Sequence, residues 1–223
     1  MYIPQQFREE RREVLVEVMR EIQLAAIVTQ DADGPCATHA PVVVRAEGEE
    51  LLLEFHVARQ NPHWKLAGQK SLVIFQGPQA YIHPGWYQSK AEHGRVVPTW
   101  TYVMVHAHGT LAAMESEAEL LAHLDQLTSR NEAGREQSWA VSDAPEKYIH
   151  GMTRAIVGLR MKVERLEGSW KLNQHKSDGD RAGVQSGLSN EKDTDAQAIS
   201  ALMRGLESGH TPAAKPQAEV DQT

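Results

Sequence analysis

Cysteine is nearly absent from this chain. Cys36 stands alone among 223 residues, so no internal disulfide can form, and a reducing compartment, the cytoplasm, is expected. No apolar run approaches the roughly 20 residues that a membrane helix needs. After Met1-Tyr2-Ile3-Pro4 the chain turns to charge at Arg8-Glu9-Glu10-Arg11-Arg12, where a secretory signal would carry an apolar stretch. Positive charge is also in deficit: 23 Lys and Arg against 30 Asp and Glu leave a net charge of -7. Binding to nucleic acid over a broad surface rests on clustered Lys and Arg, and here they are interleaved with acids. Direct DNA contact would therefore need a local patch, which the charge does not support. The HExxH, CxxC, GxSxG, P-loop and Rossmann glycine patterns are missing too. Cys36 follows a turn without an evident activating partner, which argues against a catalytic thiol.

What is present has the pattern of a mainly β protein with α additions. Val14, Leu15, Val18 and Met19 recur at helical spacing and predict a helix over Phe7 to Arg20. Leu24 to Thr29, Thr38 to Val44 and Leu51 to His56 read as three strands, joined through Asp31-Ala-Asp-Gly34 and Glu47-Gly-Glu-Glu50. Asn61-Pro62 marks the start of a short helix, with Asn as cap and Pro at the first helical position. Strands are predicted over Ser71 to Gln76 and Gln79 to Ile82, and a long one over Thr99 to Met114. In the long strand Trp100, Tyr102, Met104, His106 and His108 share one face, and Val103, Val105 and Ala107 the other. Helices are expected over Glu115 to Arg130 and Pro145 to Gly151, and strands over Ala155 to Glu164 and Trp170 to Gln174 around a turn at Leu166 to Ser169. Helices over Asp178 to Leu188 and Asp195 to Leu206 complete the pattern. About seven strands with helices at the margins predict an irregular β-barrel with peripheral helices. Residues 1–190 are expected to form that domain, 191–207 a C-terminal helix and 208–223 a disordered tail.

Aromatic residues are only 6% of the chain, so their crowding between His56 and His108 singles that stretch out. In His56-Val-Ala-Arg59-Gln-Asn61-Pro62-His-Trp64 a strand end meets a capped helix start beside a guanidinium. That arrangement suits an anion such as phosphate, or else Asn61 only caps and Arg59 pairs on the surface. Tyr81-Ile-His83-Pro-Gly85-Trp86-Tyr87-Gln-Ser-Lys90 gathers rings and a lysine at a tight turn, either plugging a barrel end or flanking a planar ligand. Thr99 and Thr101 face away from Trp100 and Tyr102. Lys171 and Gln174 close the last strand with groups that reach a ligand from a second direction or simply meet solvent. His106 and His108, two apart on a strand, could share a metal, but no supporting motif stands beside them, so no metal is assigned.

Ala37-Thr38-His39-Ala40-Pro41, His56 to Trp64, Ile74 through Tyr102, Trp139 to Tyr148 and Leu166-Glu-Gly-Ser-Trp-Lys-Leu172 together resemble the PaiB-like family of FMN-binding negative transcriptional regulators. The resemblance runs from Met1 to about Leu188. It implies the FMN-binding split β-barrel, a homodimer with flavin mononucleotide between subunits, and a regulatory task. The implied cofactor-binding residues are His39, His56, Arg59, Asn61, Tyr81, Trp86, Lys90, Thr99, Trp100, Lys171 and Gln174. The chain departs from the family's pattern at His83 and Gly85, where serines are usual, at Thr101 in place of Asn, and at Asn173 and His175 in place of Ser and Asn. Two other functions are open on this fold: a flavin-dependent oxidoreductase and a haem- or metal-binding protein. A regulator is favoured over an enzyme, and no catalytic residue is assigned.

Overall fold

In the computed structural model, which describes residues 1–207, β-structure begins earlier than the sequence pattern suggests. A 3₁₀ turn at Gln5–Phe7 leads into a two-residue strand, β1 (Arg8–Glu9), before the helix α1 (Arg12–Ile22). The helix predicted from Phe7 therefore starts five residues later. Its first turn is taken by β1, which pairs antiparallel with a distant strand through Arg8↔Ser169 and Glu9↔Gly168.

The remaining strands are β2 (Leu24–Gln30), β3 (Pro35–Pro41), β4 (Val43–Glu47), β5 (Glu50–Ala58), β6 (Lys70–Ile82), β7 (Thr99–Ala113) and β8 (Ile156–Lys171). Their order in the sheet is β3-β2-β6-β7-β8-β5-β4, with β1 added to β8. The helices are α2 (Ser89–His93), α3 (Glu117–Glu132), α4 (Glu146–Thr153), α5 (Asp178–Ser189) and α6 (Thr194–Glu207), with 3₁₀ turns at Pro62–Leu66, Pro84–Trp86 and Val141–Asp143. The expected tail, 208–223, lies outside the described residues. No helix among the described residues is long and apolar enough to cross a membrane.

Three predicted segments join or divide differently in the structure. The single strand expected over Thr38 to Val44 is two, because the chain changes partner at Val42. β3 pairs with β2 as far as Pro41↔Leu24, and β4 pairs with β5 from Val43↔Glu54. The two strands expected over Ser71 to Ile82 are one. Gly77-Pro78 does not break it, since pairing with β2 ends at Ile74 and Gly77 lies where a Cβ would come within 3.2 Å of Val103. The turn expected at Leu166 to Ser169 is likewise strand: Gly168 serves close approach, for a Cβ there would sit 2.3 Å from Leu15 Cδ2 and 2.9 Å from the Glu9 carbonyl.

The described chain divides into two compact units, each assembled from separate segments. One comprises residues 1–22, 76–105 and 167 onward, and the other residues 23–75 and 106–166. In the first, Met19, Ile82, Val103, Leu172, Val184, Leu188 and Ile199 are buried, and α5 and α6 pack together with Ser200 Oγ donating to the Gln185 carbonyl at 3.0 Å. In the second, Ile27, Leu53, Phe55, Val73, Phe75, Leu111, Leu159 and Met161 form the interior. Alternation along β7 follows the period-2 pattern: Thr101, Val103, Val105, Ala107, Gly109 and Leu111 are buried, and the residues between them are not.

Candidate functional site

In the first unit, the start of β7 follows Pro98, which has no N–H to contribute to a ladder. Trp100 is 53% exposed, and Tyr81 on β6 is 46% exposed. Their ring centroids are 6.1 Å apart at an interplanar angle of 72°. Lys171, at the end of β8, donates from Nζ to Thr99 Oγ1 at 3.0 Å and holds its ammonium 5.6 Å from the Tyr102 ring centroid. Thr99, Tyr102 and Lys171 thus form one contact group, with the Tyr81–Trp100 pair continuing the start of the same strand. Two exposed rings can flank a planar group, and the Lys171–Thr99 contact at the same end of β7 offers a cation and a hydroxyl.

Trp86 and Gln174 have structural tasks. Trp86 is seated on α5: a Cβ at Gly187 would fall 2.3 Å from its ring, and one at Gly183 only 2.0 Å from its carbonyl oxygen. Gln174 folds back on its own turn, accepting from the Leu172 N–H and donating to the Trp170 carbonyl. Lys90 is exposed on α2, and the neighbouring Ser89 donates to Asp180 from both N and Oγ at 2.9 Å.

In the second unit, Asn61 caps the 3₁₀ turn, accepting from His63 N at 3.0 Å and donating to Thr38 Oγ1 at 3.1 Å. Arg59 donates to the carbonyls of Arg154 and Ile156 at 2.7 and 2.9 Å. It also lines a cavity of about 310 Å³ whose walls carry Glu115 and Glu117 as well as Arg154. The capping reading of Asn61 is therefore met, and Arg59 braces backbone. His39 is exposed on β3, opposite Ala26 of β2.

Two buried histidines here escaped the sequence reading. His63 is fully buried, bonded through Nε2 to Thr29 Oγ1 at 2.8 Å and through Nδ1 to Thr38 Oγ1 at 2.9 Å, and Thr29 meets Ser71 Oγ at 2.6 Å. Burial lowers its pKa, against an opposing pull from Asp31. His123, on the buried side of α3, meets His56 Nδ1 through Nε2 at 3.0 Å. Burial, with a smaller contribution from His56, pushes its pKa down to about 4. The signal available for His123 was its position one turn after Leu120 on the apolar stripe; for His63 there was only the Asn-Pro start two residues earlier.

The departures from the family's pattern have local reasons. Gly85 accommodates His83, for a Cβ at 85 would lie 2.3 Å from the imidazole Nε2. Thr101 is buried and donates to the Ala80 carbonyl at 3.2 Å. Asn173 adopts φ +62°, a left-handed conformation that Asn tolerates better than Ser, and its buried amide has no hydrogen-bond partner among the described residues. His175 packs edge-on against Phe7.

Residues 1–165 match the family described as "Putative FMN-binding domain". The chain belongs to this family. Among its relatives, "Protease synthase and sporulation protein PAI 2" of Bacillus subtilis is 31% identical over 91% of this chain and 96% of its own. An uncharacterized protein of Aspergillus fumigatus is 34% identical over 61% of this chain and 65% of its own. Among solved structures, the FAD and heme binding protein of Mycobacterium smegmatis aligns with a TM-score of 0.55 at 19% identity, covering 78% of each chain. The flavocytochrome Anf3 of Azotobacter vinelandii aligns at 0.54 and 13% identity, over 81% of this chain and 78% of that one. These similarities carry the fold, the mainly β split barrel with α additions that the resemblance implied. The family's cofactor is FMN.

Proposed function

We propose that this protein is a PaiB-type flavoprotein of the cytoplasm, a regulator that works as a homodimer with FMN between its subunits. The observation that carries the flavin assignment to particular residues is the exposed Tyr81–Trp100 pair, together with the Lys171–Thr99 contact at the same end of β7. In this reading the rings pack against the isoalloxazine, and Lys171 and Thr99 meet an anionic or carbonyl oxygen of the flavin. When bound, FMN supplies a planar group that accepts electrons; the protein supplies orientation and charge. His39, His56, Arg59, Asn61, Trp86, Lys90 and Gln174 complete the proposed set, and the contacts of Arg59, Asn61, Trp86 and Gln174 support a role in shaping loops. The net charge of -7 favours an indirect regulatory route over direct grip on DNA.

Titration with FMN, followed by quenching of flavin fluorescence, tests the assignment. Trp100→Ala should weaken FMN by about tenfold, the scale of one lost stacking partner, and Lys171→Met by a similar factor. Unchanged affinity in both variants would move the flavin elsewhere. NAD(P)H oxidation by the loaded protein would favour the oxidoreductase over the regulator.

A further inference from the structure

The second unit contains a groove that the flavin reading leaves unused. It lies between α3 and α4, beside the Val141–Asp143 turn, and encloses about 700 Å³. That volume falls within the range of small-molecule sites. Its walls are apolar: Leu121 from α3, Val141 and Ala144 from the intervening segment, and Ile149 from α4. Each helix also brings one carboxylate about a turn from its apolar residue, Asp125 four positions after Leu121 and Glu146 three before Ile149.

Two acids, Asp125 and Glu146, stand among the lining residues. His150 is the basic group among the lining residues, and its ring is already matched, with Nδ1 2.8 Å from Glu117 and Nε2 3.6 Å from Glu146. Asp125 has no such match among the described residues. A phosphate or carboxylate ligand would meet Asp125 and Glu146 as like charges, which excludes FMN from this groove. An uncharged apolar ligand would leave Asp125 without a counter-charge. A hydrophobic body that carries an ammonium matches both the apolar walls and the acidic rim.

We propose that the α3–α4 groove is a binding site for small hydrophobic amines, with Leu121, Val141 and Ile149 holding the apolar body and Asp125 and Glu146 receiving the ammonium. The site is separate from the residues assigned to flavin and stands whether or not that assignment holds.

Calorimetry on the full chain with three isosteric probes tests it: 2-phenylethylamine, 2-phenylethanol and phenylacetate. The amine should bind, the alcohol more weakly, and the carboxylate not at all. Asp125→Asn, at an exposed position whose carboxylate takes no hydrogen bond among the described residues, should weaken the amine about fivefold, the upper range for a partly exposed ion pair. Ala122→Arg, which fills the groove from an exposed helical position, should abolish amine binding. FMN titrations should be the same in both variants. The proposal fails if the amine does not bind at up to about 10 mM, a very weak limit. It also fails if alcohol or carboxylate binds as well as the amine, or if Asp125→Asn has no effect. A change of oligomeric state in Ala122→Arg, read by light scattering, would make the groove an interface between copies and overturn it. If Ala122→Arg does not fold, Asp125→Asn decides.

Discussion

His56 and His123 meet nitrogen to nitrogen inside the second unit, and only one of the two facing nitrogens can carry the shared proton. The far nitrogen of His123, Nδ1, is buried without a partner among the described residues, so the neutral pair is the stable form and adding a proton is unfavourable on both counts. His56 is lowered by burial, and His123 by burial and then by His56. Both folded pKa values lie below that of an unfolded histidine, so the unfolded chain binds more protons in the window from about 6.5 down to about 4. Stability contributed by His123 is complete above that window and is lost as pH falls through it. Between pH 7 and pH 5 the unfolding free energy should drop on the order of 2 kcal/mol from this group. Urea unfolding at the two pH values measures it, and His123→Leu should flatten the difference; an unchanged difference would assign the acid sensitivity to other groups. Asn173 is the opposite case. Its amide finds no hydrogen bond among the described residues, and its φ of +62° explains why the residue is Asn. Sequence could mark Asn173 as a departure, but not as a backbone requirement.

At the scale of elements, the glycines explain where the sequence pattern misled. Gly168 and Gly77 were read as signs of interruption, since glycine in a strand weakens it. In both places the missing Cβ admits a neighbour: Leu15 and the Glu9 carbonyl at Gly168, Val103 at Gly77. Local composition does not distinguish a turn glycine from a close-approach glycine, because the deciding atoms come from elsewhere in the chain. Gly168→Ala should therefore cost about 1–3 kcal/mol, the usual range for overpacking. Hydrogen exchange should show the loss first at β1 and the start of α1. An alanine tolerated there without change would mean that Leu15 and β1 yield easily. Elements set by period and capping were read well. The long strand differs from its prediction by one residue, and α3 starts with the Ser116–Glu119 capping box. Tyr81, Trp100 and Lys171, on which the proposed site rests, could be picked out from the sequence by residue type and spacing. His63 and His123 could not, because burial of a single polar residue is a tertiary fact with no periodic signal.

For the whole molecule, the proposed dimer predicts a light-scattering mass twice that of the chain, kept when salt is raised if the interface is mainly apolar. A monomer that binds FMN fully would count against an intersubunit flavin. Promoter DNA should be retained weakly and lose its retention as salt rises; retention that is selective and survives about 0.2 M salt would restore a direct repressor. The division of the chain bears on synthesis. The unit of residues 23–75 and 106–166 has all its segments once residue 166 has left the ribosome, whereas the other needs residues 167 onward to join segments made before residue 106. Residues 1–22, with their buried Leu15, Val18 and Met19, must therefore wait until residue 167 and beyond are made for the last of their partners. During that interval an apolar helix face is open to chaperones and to neighbouring nascent chains.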